Sequence, residues 1–204
     1  MKLLYINFKT SFVIGVEMST KINVSFNVAY RLLLPEIVSL ITVRDNDGQV
    51  NVMAAGMIML ASHEPPCLVL GISPKRYSHR MIEESKEFVI NIPSREFVDE
   101  VNFCGIASGR HTDKIQKCRF TLIESEKVKS PSIKECIAHL ECKVLNSFIT
   151  GDHTLFYAKI VAARVEGYAL KNNRYDISEV KPLLLIGGNR YTYPVNEMLT
   201  PKPI

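Results

Sequence analysis

The chain reads as a mainly β protein: an antiparallel barrel with its helices confined to the gaps between strands. Two alternating stretches and one absence predict this. Cys136, Ala138, Leu140, Cys142 and Val144 alternate with Ile137, His139, Glu141 and Lys143, the period of a half-buried strand. Gly151-Asp152 then turns the chain into Thr154, Phe156, Ala158, Ile160 and Ala162, a second alternating face. Long antiparallel pairs of this kind favour a barrel over a doubly wound sheet. No G-x-G-x-x-G and no Walker loop marks a Rossmann or P-loop site.

The other elements follow in order. Met1 to Val16 leans apolar behind Lys2, as a signal peptide does, but Lys9 interrupts it and no small-residue cleavage site follows; Met18 offers a second start. Asn27 to Leu34 has the pattern of a short helix stopped by Pro35. Ile37 to Val43, rich in β-branched residues, predicts a strand, and Asp45-Asn46-Asp47-Gly48 predicts a hairpin turn. The return strand carries Asn51 and the small cluster Ala54, Ala55 and Gly56. Cys67 to Ile72 is a third strand, emptying into Ser73-Pro74-Lys75-Arg76-Tyr77-Ser78. A helix of about two turns follows from His79 to Ser85, with Met81 and Ile82 inward and Ser78 placed as N-cap. Glu87 to Ile92 is a strand ended by Pro93, and Ser94 is placed to cap a helix through Phe97, Val98, Val101 and Phe103. Gly105 to Asp113 is a polar loop.

Composition narrows the function classes. A length of 204 residues fits one domain spanning 1–204, with an N-terminal extension over 1–25. The net charge of +4 is spread among acidic residues rather than gathered in a stripe, which argues against a nucleic-acid surface and suits small anionic ligands. No stretch reaches the roughly 18 uninterrupted apolar residues of a membrane helix. Five cysteines form no C-x-x-C pair, and Cys136 and Cys142 lie too far apart along one strand to be bridged, so a reduced, cytoplasmic protein is expected. The five histidines show no zinc spacing with them, so no metal site is expected.

The stretch from Asn51 to Ser78 carries the chemistry. Small residues after a turn let a backbone approach a flat ligand, though they also serve as packing compromises. A strand emptying into serines, Arg76 and a helix start suits an anion such as a phosphate: hydroxyls and free N–H groups donate, Arg76 adds a charged fork, and the helix dipole favours negative charge. By pattern alone the same turn is more often a solvated connection. By pattern Lys114 reads as a surface ion pair with Asp113. His153 reads as an exposed polar residue at a strand start, and Cys104 as a small buried hydrophobe.

Seven pieces taken together carry a resemblance: R-L-L-L-P-E-I-V-S-L-I-T-V, D-G-Q-V-N-V-M-A-A-G, S-H-E-P-P, G-I-S-P-K-R-Y-S, F-V-I-N-I-P, C-G-x-x-S-G-R-x-x-D-K and G-D-H-T-L-F. In this order, over about residues 31 to 157, the sequence resembles the flavin reductase-like family, the FMN-binding split barrels that include flavin reductases, ferric reductases and flavoredoxins. The resemblance implies a Greek-key split β-barrel, a homodimer, and FMN in a groove near the subunit interface. Met53, Ala54, Ala55 and Gly56 would then line the isoalloxazine, with Asn51 fixing that strand. Ser73, Arg76, Tyr77, Ser78 and Lys114 would hold the ribityl chain and phosphate. Many relatives carry Thr and Ser where this chain has Ala54 and Gly56, which moves the ring hydrogen bonds onto backbone amides. His153 would lie beside the flavin where NADH or NADPH stacks, with Asp152 orienting it. The resemblance implies an NAD(P)H-dependent flavin or ferric reductase, or else a flavoredoxin-like carrier between redox protein partners. FMN rather than FAD is expected, since only one compact anion site is legible.

Overall fold

The computed structural model describes residues 21–201, so the readings of residues 1–16 and of Met18 lie outside the described residues. The chain divides into two units after Leu32. In the first, α1 (Phe26–Ala29) is a single turn begun by Val28 and Ala29 N–H groups bonding to Ser25 O. The helix expected over 27–34 is this turn followed by a 3-10 turn, Tyr30–Leu33.

The second unit holds the β-structure. Its strands are β1 (Glu36–Ile37), β2 (Ser39–Arg44), β3 (Val50–Ala55), β4 (Ile58–His63), β5 (Pro66–Ile72), β6 (Glu87–Ile92), β7 (Leu122–Ile123), β8 (Ser132–Ile133), β9 (Ala138–Thr150), β10 (His153–Val165), β11 (Leu170–Lys171), β12 (Arg174–Tyr175), β13 (Leu184–Gly187) and β14 (Arg190–Thr192). Its helices are α2 (Tyr77–Ser85), α3 (Val98–Ile106) and α4 (Lys114–Cys118). Seven strands form one antiparallel sheet in the order β3-β2-β6-β9-β10-β5-β4. Within it β6, β9, β10 and β5 make a Greek key, α2 lying on the connection that returns from β5 to β6.

The edges of this sheet are β3 and β4, yet only Gly56 and Met57 separate them in sequence. Laid flat, seven strands would hold their edges about 29 Å apart, whereas three Cα steps span about 11 Å. The sheet therefore curls into a barrel, and its split falls at the Ala54-Ala55-Gly56 cluster. Inside pack Ile41, Leu70, Phe88 and Phe156, joined by Met81 and Ile82 of α2. Outside β2 and β3, Leu40 and Val52 meet Val101 and Cys104 of α3. Each such large side chain contributes about 1.5–3 kcal/mol by leaving water.

Several expectations need correction. The segment after Met57, unassigned in the sequence, is strand β4, paired with β5 (Ile58↔Leu70, Met59↔Val69). Ser78 is not an N-cap: α2 begins at Tyr77, two residues before the expected His79, with Arg76 at the cap position and no side-chain cap. Ser94 likewise makes no side-chain cap, and a 3-10 turn, Arg95–Phe97, precedes α3. The loop expected from Gly105 starts later, because α3 runs through Ile106. On β9 the clean alternation fails: His139 and Glu141, expected outward, are buried. The segment around residues 124–133 crosses that face and bonds to it, Glu126 and Lys127 N–H donating to Glu141 and Ile133 N–H to Asn91.

Candidate functional site

The end of β5 delivers Ser73 into a turn closed by Arg76 N–H donating to Ser73 O at 2.9 Å, and α2 starts at Tyr77. With no capping side chain and no acid in its first turn, α2 presents uncompensated N–H groups and the positive end of its dipole. Ser78 is turned inward, where Asn51 Nδ2 donates to its Oγ at 2.7 Å. Asn51 thus ties β3 to the start of α2. Gly109 covers this contact: a Cβ there would overlap Asn51 Oδ1 and press on Tyr77.

Opposite lies the C-terminal end of α3. Arg76 Nη1 donates to Gly105 O at 3.3 Å. Lys114 Nζ donates to Cys104 O at 3.4 Å and to Ala107 O at 3.3 Å. Helix carbonyls carry partial negative charge, which explains how two cations can be held there. Arg110 adds a third, donating to Lys75 O at 3.1 Å with its guanidinium 5.5 Å from the centre of the Tyr77 ring. Together Asn51, Met53, Arg76, Tyr77, Gly105 and Lys114 are among the walls of a cavity of about 190 Å³. A larger groove of about 610 Å³ adjoins it past Asn51, Tyr77 and Gly109, reaching the β2–β3 turn, His111 and Thr112.

Lys114 decides the character of the cavity. It is only 4% exposed. Among the described residues no carboxylate lies within ion-pair distance of it. Asp113, expected as its surface partner, instead caps α4 by accepting from Gln116 N–H at 3.0 Å. Burial, and secondarily the neighbouring Arg76 charge, lower the Lys114 pKa below the ordinary lysine value. A buried ammonium held only by carbonyls leaves positive charge to be matched by an anion.

Not every sequence-predicted residue meets here. Asn51, Met53, Arg76, Tyr77, Ser78 and Lys114 share the cavity; Ala54, Ala55, Gly56, Ser73 and His153 do not line it. Ala54 and Ala55 end β3 at the split of the barrel, and Gly56 lies under Glu36, whose carboxylate a Cβ on Gly56 would overlap. His153 opens β10, whose next residue, Thr154, pairs with Ile72 at the end of β5. That register brings His153 level with Ser73. Its Nδ1 lies 2.7 Å from Asp152 Oδ1, and the contact lowers the Asp152 pKa. The sequence reading passed over Gly109, Arg110, Lys75 and the carbonyls of α3. Gly109 and Arg110 stand in the S-G-R piece, where a glycine between polar residues was the available signal; the carbonyls leave none.

Residues 30–193 match the flavin reductase like domain. The chain belongs to the flavin reductase-like family. An uncharacterised protein of Archaeoglobus fulgidus is 39% identical over 151 residues, 74% of this chain and 85% of that one. Among solved structures, a flavoredoxin from Methanosarcina acetivorans superposes with a TM-score of 0.80 at 29% identity, covering 89% of this chain and 95% of that one. A flavoredoxin of Desulfovibrio vulgaris (Miyazaki F) gives 0.75 at 26% identity, over 93% and 97%. The split barrel is thus the family fold. Among the described residues, no cluster of potential metal ligands occurs and no helix is long and apolar enough to cross a membrane.

Proposed function

We propose that this protein is an FMN-binding oxidoreductase, an NAD(P)H-dependent flavin or ferric reductase. The observation that carries the reading is the buried, uncompensated Lys114 beside Arg76 in a cavity at the start of α2. These residues fit a phosphate: two cations, helix N–H groups and one compact volume. Arg76 and Lys114 would hold the phosphate, Ser73, Tyr77 and Ser78 the ribityl chain, and Asn51 would fix the β3 wall. Met53, Ala54, Ala55 and Gly56 follow β3 away from the cavity to the split, where the isoalloxazine would lie against backbone. When bound, the flavin supplies hydride acceptance and release of electrons singly or in pairs. The protein orients it, and His153, held by Asp152, would orient the nicotinamide or donate a hydrogen bond to developing negative charge.

The same reading includes a homodimer. Met59, Val69 and Tyr157 are consecutive cross-strand partners, as are Leu155 and Phe148, so each row lies on one sheet face. Met57, Met59, Leu60 and Phe148 are exposed apolar side chains flanking the split, and a second copy is the simplest cover for them. Light scattering should give a dimer mass at micromolar protein; a monomer with FMN still bound would remove this part.

The two flavoredoxin structures favour a second reading, an electron carrier between redox proteins that does not oxidise a nicotinamide itself. One experiment separates them. The cofactor is released by heat and identified, and the holoprotein is mixed with NADH or NADPH without air. Bleaching within seconds supports the reductase, and bleaching only with a protein or chemical donor supports the carrier. Recovery mainly of FAD would count against the FMN site.

A further inference from the structure

Beneath the cation pair, two cysteines from different helices meet. Cys104 Sγ, on the last turn of α3, lies 3.8 Å from Cys118 Sγ, the last residue of α4. Neither has a role in holding the anion through its side chain. A disulfide holds its sulfurs at about 2.05 Å, so closure needs about 1.8 Å of travel between two short helices. The pair is asymmetric in a useful way. Cys104 is 1% exposed, whereas Cys118 is half-buried and opens onto a shallow groove of about 250 Å³ lined with Asp99, Glu100, Phe103 and Lys117.

We propose that Cys104 and Cys118 are a reversible disulfide site, closed by a peroxide, that staples α3 to α4 under the anion cavity. Cys118 is the attacking thiol, because only it meets solvent. Its sulfur displaces water from hydrogen peroxide: the S–O bond forms, the O–O bond breaks, and Cys118 becomes a sulfenic acid. Cys104 Sγ then attacks Cys118 Sγ: the S–S bond forms, the S–O bond breaks, and the leaving hydroxide takes the Cys104 proton as a second water. Two electrons have passed from the sulfur pair to the peroxide. A dithiol such as reduced dithiothreitol reverses the change by exchange. Burial raises both thiol pKa values, most strongly for Cys104, so the thiolate is scarce and the pair rests reduced until peroxide is abundant.

The location gives the staple a consequence. The Cys104 carbonyl holds the Lys114 ammonium, and Lys114 is the first residue of α4. Linking the two sulfurs fixes α4 at both ends against α3, so the buried cation can no longer move with a fraying α4. This rests on the thiol geometry and stands whether or not the cavity takes a flavin.

The test is made on the purified, fully reduced chain. After hydrogen peroxide, denaturing alkylation should label three of the five cysteines, and a peptide linking Cys104 to Cys118 should appear with loss of the two thiol hydrogens. Dithiothreitol should restore five labels. A closed loop of this length predicts a Tm higher by roughly 5–10 °C in the oxidised form. Cys118→Ser should keep all four of its remaining thiols, and Cys104→Ser should stop at an oxidised Cys118. Cys118 is not fully buried, so its serine variant tests the idea even if the Cys104 variant fails to fold. Five free thiols after peroxide, a sulfinic acid on Cys118 in the wild type, a link to another cysteine, or an oxidised form no more stable than the reduced one would each overturn the proposal.

Discussion

Two polar clusters among the described residues contrast: one is matched within itself, and the other, built on the buried Lys114 and the exposed Arg76, is not. The first lies between β2, β6 and β9. Asn91 Nδ2 donates to Leu40 O at 2.9 Å and Thr42 Oγ1 at 3.0 Å, while its Oδ1 accepts from Ile133 N–H at 2.8 Å and faces His139 Nδ1 at 3.0 Å. Next to it Glu141, 1% exposed, accepts from two backbone N–H groups and lies 3.6 Å from Arg164. Charge and hydrogen-bonding capacity are matched there. The second cluster, Arg76 with Lys114, has carbonyls on one side and a cavity on the other. A completed buried network fixes a fold, whereas an incomplete one costs stability and persists where a ligand finishes it.

The largest expected effect tests the completeness of the first cluster. Asn91→Ala leaves Ile133 N–H, Leu40 O and His139 without their partner and should destabilise by about 3–4 kcal/mol in urea unfolding. Flavin selectivity should not change. His139 gives the same cluster a pH signature: burial first, and then the Arg164 charge, hold its pKa down at about 4 from an ordinary 6.5. The unfolded chain binds the proton first, so this contribution is complete above about 6.5 and fades as pH falls towards 4. An Asn91→Ala protein within about 0.5 kcal/mol of wild type would show that water replaces the network.

His153 belongs to neither cluster, and its replacement should separate electron entry from both. His153→Ala should leave Tm and FMN occupancy unchanged. Under the reductase reading, stopped-flow reduction by saturating NADH or NADPH should slow by roughly ten- to several-hundredfold, as for loss of one oriented polar contact in a transition state. Reduction at the wild-type rate with FMN retained would make His153 a polar residue at a turn.

Arg76→Ala probes the open side of the second cluster. Loss of one charge-assisted hydrogen bond corresponds to about 1.5–3 kcal/mol, or roughly ten- to a hundredfold in FMN affinity. Riboflavin, which lacks the phosphate, is the control. Equal losses for both ligands would place Arg76 in the fold or at the ring instead.

The two clusters also mark what was legible in the chain. Arg76, Tyr77 and Ser78 stood out through the turn before a helix, and Asn51 and Lys114 through the motif pieces; these five line one cavity, whereas Ser73 of the same turn does not. His139 and Glu141 misled because alternation reports only the pleat, and the segment that covers their face is distant in sequence. Ser78 misled in a smaller way: two residues of helix extension turn a capping hydroxyl inward to Asn51. Strand β4 went unread because Met59, Leu60 and Ala61 are all exposed and only Ile58 packs on the core, so its pattern carries little core signal. The approach of Cys104 to Cys118 joins two helices across a loop, and no spacing rule reports such a contact.

The smallest effect is the sharpest test of incompleteness, since the sign itself is informative. Lys114→Met keeps the aliphatic stem and removes the ammonium. In phosphate-free buffer the apoprotein should become more stable, by about 1 kcal/mol, because a buried cation without a counter-charge is removed. FMN affinity should fall about tenfold while riboflavin affinity holds. The wild-type protein should show the matching pH behaviour. The Lys114 pKa is lowered when folded, so between that value and the ordinary 10.5 the unfolded chain binds more protons, and apoprotein stability rises with pH. FMN affinity should move the other way across the same window, falling as the ammonium loses its proton. A Lys114→Met apoprotein less stable than wild type would mean that the bonds to Cys104 and Ala107 already outweigh the burial of charge. The second cluster would then be as complete as the first, with no call for an anion.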